Sequence, residues 1–176
     1  MKYLVLGVLA STVLALMAGA SWAQDISTNR VNAERDWSVF VEDDPTQCWV
    51  VSAPRDTVNT RDGQVVNVRR GEIRMFVSYW PNLGKQGEVS FTGGYPFAEG
   101  STVLVQIGDS DFMLFTEGDM AWAADEQEDQ RIITAMKRGV EAVLTARSTR
   151  GTQTRDTFSL LGFTAAVQDA AERCGE

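Results

Sequence analysis

Residues 157–174 read TFSLLGFTAAVQDAAERC, and this stretch decides how the chain closes. Leu160, Phe163, Val167, Ala170 and Cys174 recur at helical spacing on one face, while Gln168, Asp169, Glu172 and Arg173 take the opposite one. Just upstream, Thr157-Phe158-Ser159-Leu160 alternates polar and apolar, as a half-buried strand does. The reading is a strand, an elbow at Gly162 and an amphipathic helix tipped by one of only two cysteines. A covalent tie at that tip would lock the end of the chain onto its body.

At the other end, Lys2 precedes an apolar run from Leu4 to Met17, and Ser21-Trp22-Ala23 supplies small residues at the −3 and −1 positions of a cleavage site. The expectation is an export signal over 1–23, cut before Gln24, with Ala18-Gly19-Ala20 as second choice. The run is shorter than the ~20 apolar residues of a membrane span. No later stretch is long enough either, so the expected mature protein has no integral span and works outside the cytoplasm. Loss of one Lys and no acid moves the net charge from −8 to −9. Nucleic acid and anionic lipid both need basic surface, and nucleic-acid binding is set aside. Cys48 and Cys174 form an even pair in an oxidising compartment, which makes a structural disulfide the default. A metal site would want further ligands, and the chain has no His; a redox dithiol would want closer cysteines.

Between these ends, residues 24–35 are polar and expected to be mobile, leaving 36–176 as a single domain. Alternation or short apolar runs place strands at 36–41, 48–53, 73–79, 88–92, 101–107, 112–116, 120–123, 140–147 and 154–160. A hairpin around Asp62-Gly63 returns through Val65-Val66. Residues 125–138 break the pattern: Asp125 caps a helix, Ile132, Ile133 and Met136 form its apolar face, and Gly139 ends it. Strands this frequent, separated by turns, predict an antiparallel sandwich or barrel.

Chemistry is harder to find. Without His, neither a Ser-His-Asp nor a Cys-His arrangement is available, and no catalytic residue, metal ligand or cofactor is assigned. Eight acids crowd 109–129: Asp109, Asp111, Glu117, Asp119, Asp125, Glu126, Glu128 and Asp129. Calcium binding and a glycosidase carboxylate pair are two readings; the favoured one is turns and a helix N-terminus. The next segment is basic, and Arg147, Arg150 and Arg155 surround one hairpin tip, the best candidate site for an anionic ligand or acidic partner. Trp37 and Trp49 read as core. Trp80, before Pro81, and Trp122, beside the acidic segment, are the better candidates for binding.

Phe158-Ser159-Leu160-Leu161-Gly162-Phe163-Thr164-Ala165-Ala166 resembles the closing strand-to-helix signature of the invasion-associated locus B family of bacterial exported proteins. Asp36-Trp37-Ser38-Val39 is similar to that family's opening strand. The resemblance implies a mainly β fold, an immunoglobulin-like antiparallel β-sandwich, here with one inserted helix and a C-terminal amphipathic helix. It also implies periplasmic or envelope location and, in pathogenic members, a role in host-cell invasion. The expected function is non-enzymatic binding of another macromolecule, an envelope protein or glycan; the alternative is a carboxylate-dependent hydrolase of envelope glycan acting through 109–129.

Overall fold

Among the residues that the computed structural model describes, 29–44 and 46–174, twelve strands and two α-helices follow one another; the signal expected over 1–23 lies outside them. The strands are β1 (Arg30–Glu34), β2 (Trp37–Asp43), β3 (Thr46–Ser52), β4 (Asp56–Arg61), β5 (Gln64–Val65) and β6 (Arg74–Trp80). They continue as β7 (Lys85–Thr92), β8 (Thr102–Ile107), β9 (Ser110–Glu117), β10 (Met120–Trp122), β11 (Glu141–Arg147) and β12 (Gln153–Ser159). Helix α1 (Glu126–Arg138) is inserted before β11, and α2 (Phe163–Arg173) closes the chain.

All pairings are antiparallel, and hydrogen bonding runs unbroken in the order β1-β2-β3-β6-β7-β10-β9-β8-β11-β12-β4-β5. Strands far apart in that order nevertheless meet through their inward faces. Phe91 of β7 packs edge-on against Phe158 of β12 at 6.1 Å, and the Trp37 indole of β2 donates to the Ser159 carbonyl at 3.0 Å. The sheet is therefore bent into two layers, joined through β7-β10-β9, with one core between them. Alternate residues fill that core: Val39, Val50, Met75 and Val77 from one layer, and Val103, Val105, Leu114 and Leu144 from the other, are fully buried. The β-sandwich with an inserted and a terminal helix is thus the observed architecture.

Helix α2 lies against β2 and β3, burying Phe163, Ala166, Val167 and Ala170. Phe163 meets Trp37 edge-on at 4.8 Å. The elbow needs glycine: Gly162 has φ +90°, and a Cβ there would run into the Glu34 carbonyl of β1. Cys174 then bonds Cys48 across 126 residues of chain, so α2 is tethered to β3 at its far end.

Helix α1 docks on a bulge. The β6-β7 register slips between Ser78 and Tyr79, leaving Gly87 unpaired with φ +93°, and a Cβ on Gly87 would stand 2.8 Å from Ile133. Strand β10 stops opposite Ser90, so the preceding part of β7 lacks a partner on that side. Side chains of α1 supply one: Asp129 Oδ1 accepts from the Val89 amide at 2.8 Å, and Gln130 Nε2 donates to the Gln86 carbonyl at 2.7 Å.

One expectation is corrected here. Residues 24–35 were to be a mobile terminus, yet Arg30–Glu34 form β1, paired to β2 and tied to α2 where Asn32 Nδ2 donates to Asp169 Oδ2 at 2.8 Å. As an outer strand, β1 needs little apolar sequence. Reducing the disulfide in the intact protein removes the closure of its loop from the unfolded ensemble, up to about 5 kcal/mol. Urea unfolding of the Cys48→Ser/Cys174→Ser variant is expected to show a lowered midpoint, with α2 amides losing exchange protection first.

Candidate functional site

The outer face of the first layer carries an aromatic trough. Cys48 and Val50 point into the core, so period-two alternation turns Trp49 outward. Across the strands, Phe40, Trp49, Ser78 and Glu88 lie in register, and the next rung is Phe76, Ser90, Trp122 and Phe115. Small serines on β6 and β7 form the floor, and large rings on β3 and β10 form the walls. Trp80 and Met120 complete a depression of about 360 Å³.

Its walls are held rigidly. Phe40 stacks on Trp49 with centroids 5.4 Å apart, and Trp80 Nε1 donates to Gln47 Oε1 at 2.8 Å. Phe115 packs on Trp122 at 5.8 Å. The polar groups beside the trough are engaged, Gln47 with Trp80 and Glu88 with Lys85 at 3.1 Å. What faces solvent is mainly apolar, and Phe115 and Met113 extend it as exposed side chains on β9.

Trp80 and Trp122 are therefore brought to one site. Trp49 joins them, which corrects its reading as core: a ring opposite Trp37 in sequence pattern lies on the other side of the sheet. The signal was present, because a bridged Cys48 has to face inward and its neighbour outward.

The three hairpin arginines do not converge. Arg147 and Arg155 are exposed on one face of β11-β12, where Arg155 pairs with Thr145 and Arg147 with Gln153. Arg150, at the tip, instead lines a cleft of about 500 Å³ with Arg61, Arg69 and Arg70. Beneath that cleft, Arg70 makes a two-pronged pair with Asp156, at 2.7 and 2.6 Å, with side chains only 7% and 0% exposed. Tyr95 lies 5.0 Å from the Arg70 guanidinium and its hydroxyl meets Thr154 at 2.5 Å. Burial pushes the Asp156 carboxyl up, against the pull of Arg70.

The acids of 109–129 mostly have local structural roles. Asp125 caps α1 by accepting from the Glu128 amide at 2.9 Å, Glu128 pairs with Arg131, and Asp111 accepts from Gln106. Among the described residues no group of three or more acids or cysteines is arranged to hold a metal ion. Asp125, Glu126, Asp129, Glu88 and Glu117 do line one depression of about 360 Å³ beside Trp122. Burial pushes the Asp129 carboxyl from its ordinary 3.8 to about 6; Glu88 and Asp125 push the same way, and the Val89 amide and Lys85 oppose them.

The architecture thus defines the class: a disulfide-closed antiparallel β-sandwich with an inserted helix and a C-terminal helix. Within it, the chain belongs to the family described as invasion associated locus B (IalB) protein, whose model matches residues 37–171. The crystal structure of invasion associated protein B from Bartonella henselae is similar in fold, with a TM-score of 0.53 at 15% identity, over 77% of this chain and 91% of that one. No curated protein matches the chain.

Two outcomes follow from the buried carboxyls. Arg70→Met leaves Asp156 buried and unpaired and is expected to cost about 3–5 kcal/mol, whereas Arg70→Met/Asp156→Val recovers much of that loss in the same denaturation assay. The folded protein keeps the Asp129 proton up to about pH 6, while the unfolded chain releases it near 4. Asp129 therefore favours the fold at low pH, and this advantage disappears as pH rises through 6. Asp129→Asn, which still accepts from Val89, is expected to melt above the parent at pH 7 and level with it below pH 4 in paired thermal scans.

Proposed function

We propose that this protein is an exported, envelope-located β-sandwich that works by holding a partner protein in its aromatic trough, without catalysis. The observation that carries the reading is the trough itself. Trp49, Phe76, Trp80 and Trp122 surround a small-residue floor on the outside of the sheet, where folding alone gives such rings nothing to cover. An apolar partner segment suits it better than a glycan, because the flanking Gln47 and Glu88 are already engaged and few polar groups remain for sugar hydroxyls.

Membership of a family named for invasion supports envelope location and a part in contact with host cells. The disulfide supports an oxidising compartment. The hydrolase alternative has less behind it: in the acidic depression Asp125 caps a helix, Asp129 caps a strand edge and Glu88 pairs with Lys85. Each of these acids has a structural task that a catalytic acid or base would have to leave.

A photo-reactive side chain placed at Phe115, beside the trough, is expected to cross-link one envelope protein in intact cells. The same group at Leu161, exposed elsewhere, should not. Trp49→Ala/Trp122→Ala should abolish the adduct while the circular dichroism spectrum stays unchanged. An adduct that survives this double variant, or one formed equally from both positions, would sink the reading.

A further inference from the structure

The cleft at the end of the sandwich is built from separate pieces of chain. Arg61 ends β4, Arg69 and Arg70 belong to the strap between β5 and β6, and Arg150 sits at the β11-β12 tip. These pieces are stitched together by backbone hydrogen bonds. The Gly71 amide donates to the Gly94 carbonyl at 2.9 Å, and the Thr149 amide donates to the Pro96 carbonyl at 3.0 Å. Phe97 bridges Ser148, and Arg61 Nη2 donates to Thr152 Oγ1 at 2.7 Å. The mouth is therefore fixed in shape before anything enters it.

Its charge is the reverse of the molecule's. The chain carries −8 overall, yet four arginines and no carboxylate line this cleft. Asp156, buried below, neutralises Arg70 and holds it as a rigid floor, while Arg70 Nε donates to the Gly93 carbonyl at 2.8 Å. Arg61, Arg69 and Arg150 have no salt-bridge partner among the described residues. Folding gains nothing by gathering three like charges from distant segments, because they repel each other. An incoming anion relieves that repulsion and receives forked hydrogen bonds from the guanidiniums, with the Thr149 hydroxyl at the rim.

We propose that this cleft is a binding site for a phosphorylated sugar. The phosphoryl group is met by Arg61, Arg69 and Arg150. The volume, about 500 Å³, exceeds what one phosphate fills and leaves room for a ring. The site is independent of the aromatic trough, which lies on the outer sheet face, so either can fail without the other. Concavity is what distinguishes it from Arg147 and Arg155, which are exposed on the flat outside of the β11-β12 ladder.

The test is calorimetric titration of the full mature protein at low salt with glucose 1-phosphate, inorganic phosphate and glucose. Glucose 1-phosphate is expected to bind more tightly than inorganic phosphate, and glucose not at all. Arg150→Gln and Arg61→Gln, both at exposed positions, should each weaken binding roughly tenfold or more, as loss of a charge-assisted hydrogen bond does. Arg155→Gln removes the same charge from the outer face and should leave binding unchanged. Sedimentation with phosphatidylcholine vesicles carrying a phosphorylated glycolipid, alongside the soluble titration, separates a lipid headgroup from a free sugar phosphate as the source. Binding to either supports the site. Absence of binding to both, or equal weakening by Arg155→Gln and Arg150→Gln, overturns it.

Discussion

The bond between Cys48 and Cys174 does more than close a long loop. It fixes which side of β3 faces the core, and everything outside the sheet follows from that parity. With Cys48 inward, Val50 is buried beside it and Trp49 has to face solvent, where it stacks on Phe40 and forms a wall of the trough. The same bond holds the last turn of α2 against the sheet, so that Phe163 stays on Trp37. A one-residue slip of β3 would separate the sulfurs, expose Val50 and bury an indole with no place for it. Core, helix and outer face are coupled through one strand register.

The second helix is set by a defect in the sheet. Where β10 ends, β7 would present unpaired amides and carbonyls beneath a helix, a costly arrangement in a dry interface. The Gly87 bulge brings the helix close enough for Asp129 and Gln130 to satisfy the exposed backbone. This geometry explains the acidity of the segment better than a ligand does: an acid beside an amide is useful there even though burial raises its proton affinity.

Much of this architecture was legible in the sequence, because each signal was local. Alternation over 73–79 and 101–107, the Asp125 cap with its Gly139 stop, and the 3-4 spacing after Gly162 each describe what a segment does with its own neighbours. The Asp62-Gly63 turn likewise became the β4-β5 tip. Segments whose environment is set from a distance were not legible. β1 is too polar to announce itself, since an outer strand pairs by its backbone. The side taken by Trp49 depends on a cysteine 126 residues before its partner. The arginine cleft was visible only as Arg150, because Arg61, Arg69 and Arg70 arrive from another part of the chain and meet it only after the sheet bends.

The unbroken ladder has a consequence for how the molecule behaves in a crowd. A bent sheet of twelve strands has only two outer edges, and both are poor templates for another strand. β5 is two residues long, and β1 carries charge at Arg30 and Glu34 and is held by α2 through Asn32. Strand-by-strand growth into dimers or fibres is therefore discouraged at both margins. Such a protein can remain dispersed at high local concentration and must meet its neighbours through sheet faces and loop-lined hollows, where side chains rather than backbone decide what is recognised.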